Sequence, residues 1–339
     1  MKMNAAEALR LPGIELALEK VEASLARATA GEDPFLAEVA SHLVNAGGKR
    51  LRPALVLAAA QVCGSGPDPS EGVIEGAVAV ELVHLGSLYH DDVMDEATSR
   101  RGVMSANAKW GNLVAILAGD FLLARASEIA ASLGTEVAAL LARTIGKLCE
   151  GEVGQMRFAF DVTRSEESYV ASIAGKTASL MATASRVGGV TFGAGPVEVE
   201  ALTDYGFSLG MTFQIWDDVK DLISTEDELG KPAGHDMVEG TYTLPVLRAL
   251  SVPGVGDDLR AILGGPLDTV SRDKARDLVL STSAIDSSID TAREWAARAE
   301  AALEPLRDSP AGEADTVRDG LELLSGVGHR LLDELTASL

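Results

Sequence analysis

The chain has 339 residues, 47% hydrophobic and 24% charged, which excludes disordered and collagen-like classes and permits a large buried core. Its 51 acidic residues against 29 basic ones give a formal net charge of -22, a surface that repels nucleic acid and anionic lipid. The only cysteines, Cys63 and Cys149, form neither a CxxC nor a metal-ligand spacing, and a reducing cytoplasm fits them.

The N-terminal stretch MKMNAAEALRLPGIELALEK breaks its apolar positions with Glu and Lys, so no signal-peptide core is expected. No run of about 18 uncharged apolar residues follows, so no membrane-spanning helix is expected either. Residues 47–53, GGKRLRP, set two glycines before Lys49, Arg50 and Arg52, with Pro53 suited to the first turn of the helix PALVLAAAQV. Cationic side chains beside the free N–H groups of a helix start make an anion site; a solvated basic loop is the plainer alternative.

Stretches rich in Ala, Leu, Glu and Arg at 71–95, 112–133, 135–158, 169–187, 198–223, 270–282 and 287–306 predict helices. Gly- and Pro-rich breaks separate them at 64–69, 188–196, 230–236, 252–258 and 308–313. No strand-like alternation with hairpin turns competes. Two of the segments, IEGAVAVELVHLGSLYH and GNLVAILAGDFLLARA, are apolar around most of their circumference and are expected at the centre. The expected fold is therefore a single all-α domain, a large bundle with its helices ringed around a cavity.

Two acidic motifs of identical spacing stand out, DDVMD with Asp91, Asp92 and Asp95, and DDVKD with Asp217, Asp218 and Asp221. On a helix, residues four apart share a face, so Asp91 with Asp95 and Asp217 with Asp221 pair as ligands for hard cations. Such carboxylates repel one another and the helix C-terminus, and Mg2+ is the natural offset. One copy is equally well a solvated acidic face; two copies, each after an apolar helix, favour the metal.

Arg100 and Arg101 follow the first motif in the loop EATSRRG, either salt-bridged to its carboxylates or free to grip phosphate oxygens. His84 lies seven residues before Asp91 on the same stripe, with Ser87 between them and Gly86 beside it. A core histidine is its plainer alternative. Lys176 and Thr177 in AGKTASL, Phe213 and Gln214 before the second motif, and Lys231 after it are individually weak signals. Asp120, Glu152 and Gln155 read as core polar groups hydrogen-bonded to backbone.

Together GGKRLRP, HLGSLYHDDVMD with RRG, GKTA, and FQIWDDVKD with its GK loop resemble the trans-isoprenyl diphosphate synthases, also called polyprenyl synthetases, in family order over about residues 40–250. The resemblance implies an isoprenoid synthase-type bundle of mostly antiparallel helices around a deep cavity, a homodimer, and two aspartate motifs facing each other. It implies three Mg2+ ions held by Asp91, Asp95 and Asp217, with support from Asp92, Asp218 and Asp221; the spacing itself adds Asp221 as a ligand. It further implies that Lys49, Arg52, His84 and Arg101 hold isopentenyl diphosphate, while Arg100, Lys176, Thr177, Gln214 and Lys231 contact an allylic diphosphate. Arg50 falls at a position the family varies. Where many members carry a lysine after EG, this chain reads EGTYTLP, with Thr241, and either His235 or Arg248 is a candidate to supply the missing contact.

In this family the residues four and five before the first motif form an early floor for the growing product. Ser87 and Gly86 are small, and the motif lacks a two-residue insertion, so a geranylgeranyl or longer product is implied. A class I terpene cyclase shares the first motif, but it usually carries an NSE-type second site and no GGKRLRP element. A non-catalytic subunit of a heteromeric synthase is the other rival, and it predicts decay of motifs that are intact here.

Overall fold

The computed structural model describes residues 13–225, 232–308, 312 and 314–336. Helix α1 (Ile14–Ala28) leads to α2 (Pro34–Asn45), where Asp33 caps the first turn by accepting from Leu36 N at 2.8 Å and Pro34 supplies a preset φ. Helix α3 (Leu51–Ala60) runs into a π-helical turn at Gln61–Ser65, and α4 (Glu71–Met94) follows. A short antiparallel hairpin, β1 (Ser99–Arg100) with β2 (Val103–Met104), then replaces the plain loop expected after the first acidic motif.

The chain continues through α5 (Ala106–Trp110), α6 (Asn112–Ser132), α7 (Thr135–Met156) and α8 (Glu166–Ile173). A second π-helical turn, Ala174–Ala178, joins α8 to α9 (Ser179–Phe192), so the single helix expected over 169–187 is divided. Close approach explains the division. A Cβ on Gly151 of α7 would lie 2.5 Å from the backbone N of Lys176, and one on Gly175 would lie 2.9 Å from the Gly151 Cα. Helix α10 (Pro196–Ile223) is followed by α11 (His235–Val238), α12 (Leu244–Leu250), α13 (Val255–Ile262), α14 (Thr269–Leu280), α15 (Ala284–Ala302), α16 (Glu304–Arg307), α17 (Asp315–Ser325) and α18 (Val327–Thr336).

The all-α expectation holds. Helix α4 is central, packed by α1, α3, α6 and α9, while α10 lies against α9, α15 and α18. The core is built largely from Ala, Val and Leu around the fully buried rings of Tyr89, Tyr169, Tyr205, Trp216 and Tyr242. By length and composition α4 passes as a candidate membrane span despite its charged residues, but 72% of that window is buried inside the protein, as in a core helix.

Helix α6 departs from its expected central place. It turns the small residues Ala115, Ala118, Gly119 and Ala126 inward against the core and leaves Leu113 71%, Leu117 54% and Ile116 41% exposed. The inner face is narrow because α4 and α6 cross closely: a Cβ at Gly86 would lie 3.1 Å from the Gly119 carbonyl.

Candidate functional site

Each acidic motif closes a long core helix. Asp91 and Asp92 lie in the last turn of α4 with Asp95 as its C-cap, and Asp217, Asp218 and Asp221 occupy the last two turns of α10. The helical register splits each triplet. Asp91 is half-buried and Asp95 and Asp217 are exposed, whereas Asp92, Asp218 and Asp221 turn inward.

The inward aspartates are held by neighbours. Arg100 donates to Asp92 Oδ1 from Nε at 2.7 Å, and its Nη2 lies at the same distance from that oxygen. Oδ2 of Asp92 is buried without a hydrogen-bond partner. Asp218 accepts from Tyr169 Oη at 2.5 Å and from Gln214 Nε2 at 2.8 Å. Burial nevertheless pushes the Asp218 carboxyl up to about 7, against these two hydrogen bonds. The Asp221 carboxylate accepts from Asp236 N at 3.3 Å, and its carbonyl accepts from Gly234 N at 2.8 Å, tying the motif to the start of α11.

The π-helical turn at 174–178 reaches toward both motifs. Lys176 Nζ lies 2.6 Å from Glu152 Oε2 of α7. Burial lowers the affinity of Lys176 for its proton, but Glu152 and then Asp91 outweigh it and hold the ammonium above its ordinary range. Burial lifts Asp91 to about 6, with Lys176 opposing and Glu152 and Asp95 adding. One residue on, Thr177 Oγ1 donates to Gln214 Oε1 at 2.6 Å, and Gln214 in turn holds Asp218.

The GGKRLRP segment approaches from the other side. Lys49 Nζ comes within 5.7 Å of the Trp216 ring, next to Asp217, and Lys220 approaches the same ring at 4.5 Å. Arg52 Nε is buried without a hydrogen-bond partner. Burial, followed by the nearby cations Arg52 and Arg101, holds the His84 imidazole well below 6.5, so it is neutral and able to donate one N–H. Arg101 donates from Nη1 to the carbonyls of Leu43, at 3.0 Å, and Gly47, and its Nη2 lies 3.9 Å from Glu81 Oε1. Arg50, grouped by sequence with the basic anion site, is instead internal, bound to Glu22 and Glu81.

Several sequence readings need correction. Asp120 is no core group; it is 61% exposed and lies 3.4 Å from His90. Glu152 pairs with Lys176, and Gln155 Nε2 reaches Thr241 Oγ1 at 3.4 Å, so both flank the site instead of satisfying backbone. Arg248 is bound 3.1 Å from Glu166 and to the Ser287 carbonyl at 2.5 Å, which removes it as a substitute near Thr241. His235 lies 3.0 Å from Glu239. Lys231 falls outside the described residues. Of the two residues expected to set chain length, Gly86 sits at the α4–α6 crossing, while half-buried Ser87 donates to the His84 carbonyl at 2.8 Å. Sequence reasoning missed Glu81, although it is the only acidic residue between Gly76 and His90 in an otherwise apolar helix.

Among the described residues no three His, Cys, Asp or Glu side chains converge to enclose a metal ion by themselves. Mg2+ needs no such cage, because it is commonly held by one or two carboxylates together with water and substrate phosphates. The half-buried and exposed oxygens of Asp91, Asp95 and Asp217, the orphaned Oδ2 of Asp92 and the raised carboxyls of Asp91 and Asp218 fit a hard cation.

Residues 33–278 match the family described as Polyprenyl synthetase. Over 284 residues the chain is 43% identical to a nonaprenyl diphosphate synthase of Mycobacterium tuberculosis, covering 83% of this chain and 84% of that one. It is 41% identical to a heptaprenyl diphosphate synthase component 2 of Geobacillus stearothermophilus, covering 80% and 84% of the two chains. The fold superposes with a TM-score of 0.86 on a polyprenyl synthase of Caulobacter crescentus solved with calcium and isoprenyl diphosphate, at 34% identity over 97% of this chain and 98% of that one.

Proposed function

This chain belongs to the polyprenyl synthetase family of prenyltransferases, and from that premise we propose that it extends an allylic diphosphate with isopentenyl units to an all-trans polyprenyl diphosphate of geranylgeranyl length or longer. The observation that carries the reading is the π-helical turn, which sets Lys176 beside Glu152 and Asp91 and Thr177 on the Gln214–Asp218 pair, so that one segment serves both aspartate motifs.

Asp91, Asp95, Asp217 and Asp221 would hold Mg2+, with Asp92 and Asp218 in support and three ions per site. When bound, Mg2+ supplies positive charge that stabilises a diphosphate as leaving group. Lys176, Thr177, Gln214, Arg100 and Lys231 bind and orient the allylic diphosphate. Lys49, Arg52, neutral His84 and Arg101 hold the isopentenyl diphosphate with its double bond toward the allylic carbon. The allylic C–O bond breaks with its electron pair leaving on diphosphate, the isopentenyl double bond forms the new C–C bond, and the proton then lost goes to the departed diphosphate.

Small Ser87 and Gly86 support a long product, as does the likeness to nonaprenyl and heptaprenyl enzymes. The exposed apolar residues Leu113, Ile116 and Leu117 on α6 and Val153 and Met156 on α7 support a homodimer. The unpaired cysteines fit a cytoplasmic setting.

The test is incubation of the purified chain with isopentenyl diphosphate and a dimethylallyl, geranyl or farnesyl primer, with and without Mg2+, and mass analysis of the products. A Mg2+-dependent ladder ending at one length is expected; cyclic hydrocarbon would overturn the reading. A second reading, as one subunit of a heteromeric synthase, draws on the likeness to a protein named component 2, and failure of every primer with the chain alone would favour it.

A further inference from the structure

The cations Lys49, Arg50 and Arg52 are neighbours in sequence, yet the fold gives them different work. A guanidinium carries five N–H donors, and Arg50 directs all five at acceptors inside the protein. Its Nε donates to Glu22 Oε1, and its Nη2 donates to Glu22 Oε2 at 3.1 Å and to the Val44 carbonyl at 3.0 Å. Its Nη1 donates to Glu81 Oε1 at 3.1 Å and to the Gly47 carbonyl at 3.3 Å. None remains for a substrate oxygen. Arg52, two residues on, has a buried Nε with no acceptor.

The acceptors of Arg50 come from four places: Glu22 on α1, Val44 near the end of α2, Gly47 in the loop, and Glu81 on α4. Two of them also bind Arg101, which donates to the Gly47 carbonyl and approaches Glu81 Oε1 at 3.9 Å. The backbone of Arg50 is left-handed, with φ 47 and ψ 34. That conformation is unfavourable for a residue with a Cβ, and here the five bonds hold it.

We propose that Arg50 is a positioning residue for isopentenyl diphosphate: clamped by Glu22 and Glu81, it fixes the junction of the loop and the first turn of α3, from which Lys49 and Arg52 reach the diphosphate, and seats Arg101 beside them, without touching substrate. This rests on the functional reading above. Lysine at position 50 keeps the charge but offers three donors from one nitrogen, so it cannot span the two carboxylates and two carbonyls. Glu22 is 44% exposed, and Glu22→Gln loosens the clamp from its solvent side with little risk to the fold.

The experiment is steady-state kinetics on Arg50→Lys and Glu22→Gln, each substrate varied with the other saturating, alongside thermal unfolding. Arg50→Lys is expected to raise KM for isopentenyl diphosphate about tenfold and Glu22→Gln about threefold, with kcat and the allylic KM within about twofold of the parent. A lowered unfolding midpoint with the isopentenyl KM unchanged would overturn the proposal, as would equal rises in both KM values. If the unaltered chain turns over no primer, the functional reading fails, and the proposal is judged by calorimetric titration of inorganic diphosphate in EDTA. There the unaltered chain should bind, Arg52→Gln should lose binding, and Arg50→Lys should weaken it about tenfold. No binding by the unaltered chain, or equal binding by Arg50→Lys, would overturn it.

Discussion

Tyr169 donates its phenol hydrogen to Oδ2 of Asp218 across 2.5 Å, deep in the core and 49 residues away in sequence. With Gln214 on the other oxygen and Thr177 on Gln214, the middle aspartate of the second motif is the end of a hydrogen-bonded chain beginning at the π-helical turn. Tyr169→Phe removes one donor from a buried carboxylate, which costs about 1–3 kcal/mol. The expected outcome is a lower thermal midpoint together with a loss of roughly tenfold in turnover as Asp217 and Asp221 lose their common support. Calorimetry and initial rates check it, and a variant unchanged in both would mean that Asp218 does not organise the motif.

Asp91→Ala and Asp217→Ala test the motifs directly. Both side chains are at least partly open to solvent, so the fold should survive, and turnover should fall by roughly a thousandfold or more, as when preorganised charge is removed from a reacting diphosphate. Retained activity in either variant, with a normal circular dichroism spectrum, would remove that motif from the chemistry.

Stability should depend on pH in a way that the ions reverse. Burial lifts Asp91 and Asp218 from 3.8 to about 6 and about 7, so the folded chain keeps protons that the unfolded chain has already released. Without ions, their contribution therefore falls as pH rises from about 4 through about 7. His84 acts oppositely: held well below 6.5, it binds its proton more readily when unfolded, and its contribution is lost as pH drops below about 6.5. Mg2+ added at pH 8 should accordingly raise the thermal midpoint more than at pH 5, where protons compete for the aspartates. Equal gains at the two pH values in differential scanning fluorimetry would show that these carboxylates do not hold the ion.

Product length should respond to bulk before the first motif. Ser87→Phe adds a ring one turn before Asp91 and is expected to shift the main product down by at least one isopentenyl unit, read by mass spectrometry. Gly86→Phe should do the same at a cost in stability, because side-chain atoms there meet the Gly119 carbonyl and Leu123 of α6 at 3.1 Å. An unchanged distribution from stable Ser87→Phe would place the floor elsewhere.

Much of this was readable in advance because helical periodicity and identical acidic spacing are local signals. Helices α4, α6 and α7 end within two residues of their expected limits, and both motifs close core helices as anticipated. What stayed hidden depends on partners far away in sequence. Nothing near Arg50 reveals that Glu22 and Glu81 will absorb its charge, and Glu152 acquires meaning only when Lys176 arrives beside it. The outward apolar face of α6 was concealed for another reason: a helix apolar on all sides does not say which side meets the core.

A π-helical turn holds one residue more than an α-helical turn requires. At 174–178 that extra residue rotates everything after it by about 100° relative to an unbroken helix. Deleting one residue there would improve the helix as a helix, restoring regular hydrogen bonds, yet it would swing either Lys176 away from Glu152 or Thr177 away from Gln214. The two aspartate motifs thus stay in phase only while this segment of the chain is one residue out of phase with itself.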